Sequence, residues 1–212
     1  MKKIIGLSLL LFLTACGTEE VADVAVPVDT APEFVIDTAS LDVPYASYFN
    51  ETNPWVVIEF ANHEPIVLEL FPEVAPITVD QITTLVSRGF YNGIIFHRVI
   101  EGFMIQGGDP TGTGTSGAGN NITGEFNDNG IPNRLRHWRG VLSMARAQDP
   151  NSASSQFFIV HQDANFLDGA YAAFGGVIQG FDTLDAIATT ETNAQDRPLT
   201  DVVMTSVRLI ER

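Results

Sequence analysis

The sequence predicts a mainly β domain, a barrel or sandwich accompanied by two helices. Three observations carry that expectation: many short apolar runs of strand composition, just two stretches with helical spacing, and turn-forming residues between successive runs. No internal repeat is present.

The elements follow in order. Trp55-Val56-Val57-Ile58-Glu59-Phe60 and Ile66-Val67-Leu68-Glu69-Leu70 are β-rich runs joined by a five-residue connection, which suits a hairpin. Pro76 fits a first helical turn, Ile77, Ile82, Leu85 and Val86 form an apolar stripe, and Gly89 follows as a stop. Residues 90–105 return to strand composition, and 107–124 form a loop rich in Gly, Thr and Asn. Two further strands, at 141–145 and 156–160, flank the polar loop 146–155, and another covers 172–178. Gly180-Phe181-Asp182 opens a second helix to about residue 188, with Asp182 expected at its N-cap. Residues 201–210 close the chain as a last strand.

With 212 residues and 45% hydrophobic content, one folded domain is expected. The 26 acidic against 11 basic residues give a net charge of −15, which opposes electrostatic binding to nucleic acid or anionic lipid. Lys2 and Lys3 precede an apolar run at 4–13, the pattern of a secretory signal. That run is too short to cross a hydrocarbon core of ~30 Å. Leu13-Thr14-Ala15-Cys16 resembles the lipobox of bacterial lipoproteins, and Cys16 is the sole cysteine, so no internal disulfide forms.

The expected organisation is therefore a signal peptide at 1–15, an acidic tether or N-terminal arm at 16–53 carrying lipid on Cys16, and a folded domain at 54–212. After cleavage the chain has nine arginines, no lysine and 26 acids, a net −17. The resemblance implies lipid anchoring in a bacterial cell envelope, on the extracytoplasmic side. Gly17 after the cysteine is similar to the outer-membrane sorting pattern, facing the periplasm, of Gram-negative bacteria.

One stretch joins a cation to adaptable apolar groups and an amide. In residues 96–109, Arg98, Phe103, Met104 and Gln106 converge on a shallow pocket if the chain is extended and bends at Gly102. Such a pocket suits a peptide.

Several blocks then make a pattern: Phe96-His97-Arg98-Val99-Ile100, Gly102-Phe103-Met104-Ile105-Gln106-Gly107-Gly108-Asp109, Ser143-Met144-Ala145, Ser154-Ser155-Gln156-Phe157-Phe158-Ile159, and Leu167-Asp168-Gly169 with Phe174-Gly175. In this order and spacing, from Trp55 to Ile210, the chain resembles the cyclophilin-type peptidyl-prolyl isomerases. The resemblance implies a closed eight-stranded antiparallel β-barrel capped by two helices, with an active groove on its outer face. It implies Arg98 as the catalytic cation oriented by Gln106, and Phe103, Met104, Phe158 and Leu167 as the proline pocket. Ala145, Arg146, Ala147 and Gln156 would bind the flanking peptide, with hydrogen bonds from the Arg146 backbone. Phe166 and Tyr171 stand where the eukaryotic pattern has tryptophan and histidine, which weakens the expectation of tight cyclosporin binding. The expected partners are proline-containing polypeptides, met by a monomeric domain.

These residue types suit the reaction. Rotation about a peptide bond is opposed by ~18–20 kcal/mol of lone-pair delocalisation. At an X-Pro bond cis and trans differ by only ~0.5–1 kcal/mol, so both are populated yet exchange slowly. A catalyst must favour the twisted amide, whose nitrogen has regained its lone pair, and a permanently charged arginine aimed at that nitrogen does so. No metal, cofactor or covalent intermediate is called for. A groove that docks proline segments without turnover is the competing reading.

Other signals point nowhere further. Residues 112–117 match G-x-G-x-x-G, but the following Ala118-Gly119-Asn120-Asn121 opens no helix and no βαβ unit surrounds it. No G-x-S-x-G elbow is present, and His63, His137 and His161 lack metal-ligand spacing.

Overall fold

The computed structural model describes residues 34–210; the expected signal peptide and Cys16 lie outside the described residues. In chain order its elements are β1 (Trp55–Phe60), β2 (Ile66–Leu70), α1 (Pro76–Ser87), β3 (Ile95–Phe96), β4 (Arg98–Ile100), β5 (Met104–Gly107), β6 (Val141–Met144), β7 (Phe157–Val160), β8 (Ala173–Gln179), α2 (Phe181–Ala188) and β9 (Val202–Ile210). The strands form one antiparallel sheet in the order β3-β9-β1-β2-β8-β6-β7-β5-β4.

The two strands at the ends of that order, β3 and β4, are separated in the chain by His97 alone. The sheet therefore rolls up and nearly closes there. The expected eight strands become nine because residues 95–100, part of the stretch 90–105 read as strand composition, change partner at His97. Ile95 and Phe96 pair with β9, whereas Arg98 to Ile100 pair with β5. β5 also approaches β3 so closely that a Cβ on Gly107 would lie 3.2 Å from the Ile95 carbonyl oxygen. Register shifts at Glu59/Phe60, Val67/Leu68 and Leu142/Ser143 supply the bending that a rolled sheet needs.

Strand alternation sends one set of side chains inward, among them Ile58, Leu68, Ile105, Leu142, Ile159 and Phe174, where α1 and α2 add Val79, Ile82, Leu85, Leu184 and Ile187. Two local expectations are corrected. Ile77 is exposed, and Thr78 and Val79 turn inward instead, because the Glu125 carboxylate accepts from the Ile77 and Thr78 N–H groups and from the Thr78 hydroxyl. That distant carboxylate satisfies donors the helix N-terminus leaves orphaned. The cap of α2 is Gly180 with φ +96, and Asp182 lies within the first turn rather than capping it. There its charge complements the helix dipole.

The outer face of the barrel is covered in part by residues 34–54. Tyr45 is fully buried, and its hydroxyl donates to the Val177 carbonyl at 2.8 Å. Its ring fills space that two glycines leave: a Cβ on Gly176 would sit 2.3 Å from the ring, and one on Gly140 2.4 Å from the hydroxyl. The buried Glu69 carboxylate accepts from Asn50 N, Asn53 Nδ2 and Trp55 Nε1, each at 2.9 Å. Within the stretch read as tether or arm, the described part is thus built into the barrel wall.

Candidate active site

The register of the sheet lays out one row of residues. Arg98 on β4 faces Gln106 on β5, Gln106 faces Phe158 on β7, and Phe158 faces Ser143 on β6. Because side chains alternate, Met104, Gln106 and Phe158 share the outward face while Ile105, Phe157 and Ile159 point into the core.

A groove of about 370 Å³ opens along this row. Of the residues singled out in the sequence, Arg98, Phe103, Met104, Gln106, Ala145, Arg146, Phe158, Leu167 and Tyr171 line it. Gln156 and Ala147 line an adjoining hollow of about 420 Å³, which shares Gln106, Ala145 and Arg146 with the groove. Phe166 stands outside both, 75% exposed, with its ring 5.4 Å from that of Phe103. His97, Thr113, Gly114 and Gln195 also line the groove and were missed. The first adjoins Arg98 in the chain, and the others come from loops whose composition reads only as turn.

The floor is apolar and buried: Met104, Phe158 and Leu167 are all under a tenth exposed. Behind it, the His137 ring stacks on Phe158 at 6.1 Å. His137 Nδ1 lies 3.0 Å from Asp168 Oδ1, and its Nε2 lies 2.9 Å from the Ser143 hydroxyl. Burial pushes the His137 pKa down, outweighing the pull of Asp168. The neutral ring then donates from Nδ1 to Asp168 and accepts at Nε2 from Ser143. This relay ties the floor strand to the residue after Leu167. Nothing in the sequence pointed to it, since the three residues are ordinary singly.

The rim is held by Arg146, whose Nε and Nη2 donate to the Ala170 carbonyl at 3.1 and 2.9 Å. Its guanidinium lies 4.7 Å from the Tyr171 ring centre and 5.1 Å from that of Phe126. That side chain is spent on the rim, whereas among the described residues its backbone N–H has no protein partner. The Ala147 N–H, by contrast, is taken by Ser152 Oγ at 2.9 Å.

One expected contact is absent. Gln106 Nε2 donates to Gln156 Oε1 at 2.9 Å, and Gln156 Nε2 donates to the carbonyls of Gly114 and Ser116. The glutamine opposite Arg98 is therefore engaged with Gln156, and through it with the loop after β5, rather than with the guanidinium. That loop is organised by Asp109. Burial works against the Asp109 charge, but hydrogen bonds from Thr111, Ser116 and Gly114 prevail and hold its pKa at about 2. Below the loop lies His97, buried with no partner for either ring nitrogen. Burial lowers its pKa, so it stays neutral beside Arg98. Among the described residues no group of three His, Cys, Asp or Glu side chains is placed to hold a metal.

Residues 55–209 match the family model described as cyclophilin type peptidyl-prolyl cis-trans isomerase/CLD. The chain belongs to that family. Its curated relatives include a peptidyl-prolyl cis-trans isomerase-like 1 of Gibberella zeae, 43% identical over 147 residues, covering 69% of this chain and 89% of that protein. The human protein of the same name is 46% identical over 138 residues, covering 65% of this chain and 81% of that one. Among solved structures, a cyclophilin-type isomerase of Cryptosporidium parvum superposes with a TM-score of 0.69 at 34% identity, over 76% of this chain and 99% of that one. Cyclophilin AquaCyp293 from Hirschia baltica gives 0.63 at 28% identity, over 74% of each chain. The isomerase domain is the nearly closed barrel, and residues 34–54 precede the stretch that the family model matches.

Proposed function

We propose that this isomerase accelerates X-Pro rotation by non-covalent electrostatics at Arg98, acting as a lipid-anchored monomer outside the cytoplasm. The observation that carries the catalytic part is the pairing of one charged side chain with an apolar buried floor in a single groove. A proline ring seats on Met104, Phe158 and Leu167, with Phe103 at the side. Its amide nitrogen then lies toward Arg98. In the planar ground states that nitrogen is a poor acceptor, and in the twisted state it accepts from the guanidinium. Removing the amide from water favours the same less polar state. The partnerless N–H of Arg146 is available to hold the substrate backbone. The Cryptosporidium parvum protein was crystallised in the presence of the dipeptide Ala-Pro, which supports a proline-containing ligand for this groove.

The cellular reading rests on Lys2, Lys3, the apolar run at 4–13 and the sole cysteine at 16. Three acyl chains would hold the protein at a membrane, since two already suffice. A protease-coupled assay tests the first part: Arg98→Ala lowers turnover by ~10²–10³-fold, the loss typical of a removed transition-state donor, while a proline peptide still binds. Unchanged turnover would remove Arg98 from the mechanism. For the anchor, Cys16→Ser moves the protein from the membrane to the soluble fraction on cell fractionation, and unaltered membrane association refutes the lipid.

A further inference from the structure

With Gln106 committed elsewhere, the question is what sets the direction of the Arg98 guanidinium. The described residues offer one side-chain partner: Arg98 Nε donates to Asp196 Oδ2 at 3.4 Å. Asp196 lies in the turn between α2 and β9, 98 residues along the chain. It is the only non-glycine residue with positive φ among the described residues, at +61.

The turn itself does not require that carboxylate. Asn193 Oδ1 accepts from the N–H groups of Gln195 and Arg197, and Asp196 N donates to the Asn193 carbonyl. A left-handed position favours Gly, Asn or Asp, and for the backbone alone Gly would be least strained. The turn is also pressed against β4, since the Asp196 carbonyl accepts from Val99 N at 2.7 Å, next to Arg98. Arg197 adds a second tie, Nη1 donating to the Gly112 carbonyl at 2.8 Å. A strained residue, clamped by its own backbone beside Arg98, thus presents a carboxylate to Nε.

We infer that Asp196 is the positioning residue of the isomerase, holding Arg98 by its Nε edge so that both Nη groups remain for the twisted proline amide. This rests on the catalytic reading of Arg98. Among the described residues neither Nη has a protein partner. Both side chains are close to half exposed, at 42% and 44%, and a pair so exposed adds little to stability. Its effect is on direction. A guanidinium free to sweep the groove populates many rotamers, and catalysis needs the one that faces the substrate nitrogen.

The test uses Asp196→Gly, which suits the positive φ and removes the carboxylate. It keeps the melting temperature and leaves proline-peptide affinity within about two-fold, yet lowers turnover by about ten-fold, as misplacing a catalytic group does. Asp196→Asn, which tolerates the same φ and keeps an oxygen for Nε–H, restores turnover to within about three-fold of wild type. In an Arg98→Lys background, which has no Nε–H, Asp196→Gly costs less than about two-fold more, the non-additivity expected of residues acting as one unit. Wild-type turnover in Asp196→Gly, alongside an inactive Arg98→Ala, overturns the role of Asp196 and leaves Arg98 standing. A ten-fold loss that persists in the lysine background, or that follows a fall in melting temperature, marks the turn as structural and also overturns it. An active Arg98→Ala overturns the catalytic reading on which this rests.

Discussion

Two patches on the outside of the same barrel have opposite fates. One, over β1, β2 and β8, is roofed by residues 34–54; the other, over β4, β5 and β7, is left open as the groove. Both are apolar, and Tyr45, Phe71, Met104, Phe158 and Leu167 belong to one continuous buried cluster. What separates them is shape and polarity. Under the roof, Gly140 and Gly176 make a socket that only a flat ring fills, and Glu69 anchors the chain beside it. At the groove, Arg98 and Gln106, with Gln156 in the adjoining hollow, line the edge with polar groups. An apolar surface becomes structure where its polar atoms are satisfied from within. It becomes a site where a cation and a backbone donor wait for an outside partner.

The comparison can be broken by substitution. Tyr45→Ala has the largest expected effect, about 3–5 kcal/mol of stability, since a fully buried aromatic and its hydrogen bond are lost together. Chemical denaturation measures it, and the folded fraction retains a groove that binds proline peptides. A loss below about 1 kcal/mol would mean that the roof is dispensable. Phe166→Ala sits on the other patch and should do the reverse. Its exposed ring contributes within about 0.5 kcal/mol to stability, while peptide affinity falls a few-fold because Phe103 loses its neighbour. Equal destabilisation by both variants would erase the distinction.

The smallest effect concerns pH. His137 and His97 are both held neutral by burial, so their folded-state pKa values lie below the unfolded value of ~6.5. The unfolded chain then binds more protons in the window just under pH ~6.5, and stability rises with pH there. The contribution is full above ~6.5 and is lost as pH falls through the folded-state pKa. Melting temperature should drop between pH 7.5 and 5, with the His137 ring titrating below the ordinary histidine value by NMR. A flat profile would contradict the buried neutral relay behind Phe158.

Much of the groove was legible before any fold was known. Arg98, Phe103, Met104 and Gln106 lie in one short stretch, so a peptide-binding pocket could be read there locally, whereas Phe158 and Leu167 were placed opposite them by the resemblance to the cyclophilin family. The same applies to the hairpin of β1 and β2 and to the position of α1. Tyr45 was illegible, because it lies in an acidic stretch with no periodicity, and its partners are glycines 95 and 131 residues away. Residues 90–105 read only as a stretch of strand composition, because composition does not report a change of partner at His97.

The residues alone carry the inventory: which short segments are strands, which side chains share a face, and that a cation stands among apolar groups suited to a peptide. Those follow from backbone periodicity and residue chemistry, which act over a few positions. How the polar groups are satisfied emerges only from the packed barrel. Gln106 turns to Gln156 and the loop, Arg98 turns to Asp196, and His137 turns to Ser143 and Asp168. Hydrogen bonds of this kind depend on distance in space and on competition among several nearby acceptors. Barrel closure, which brings residues 98 and 196 together, sets both.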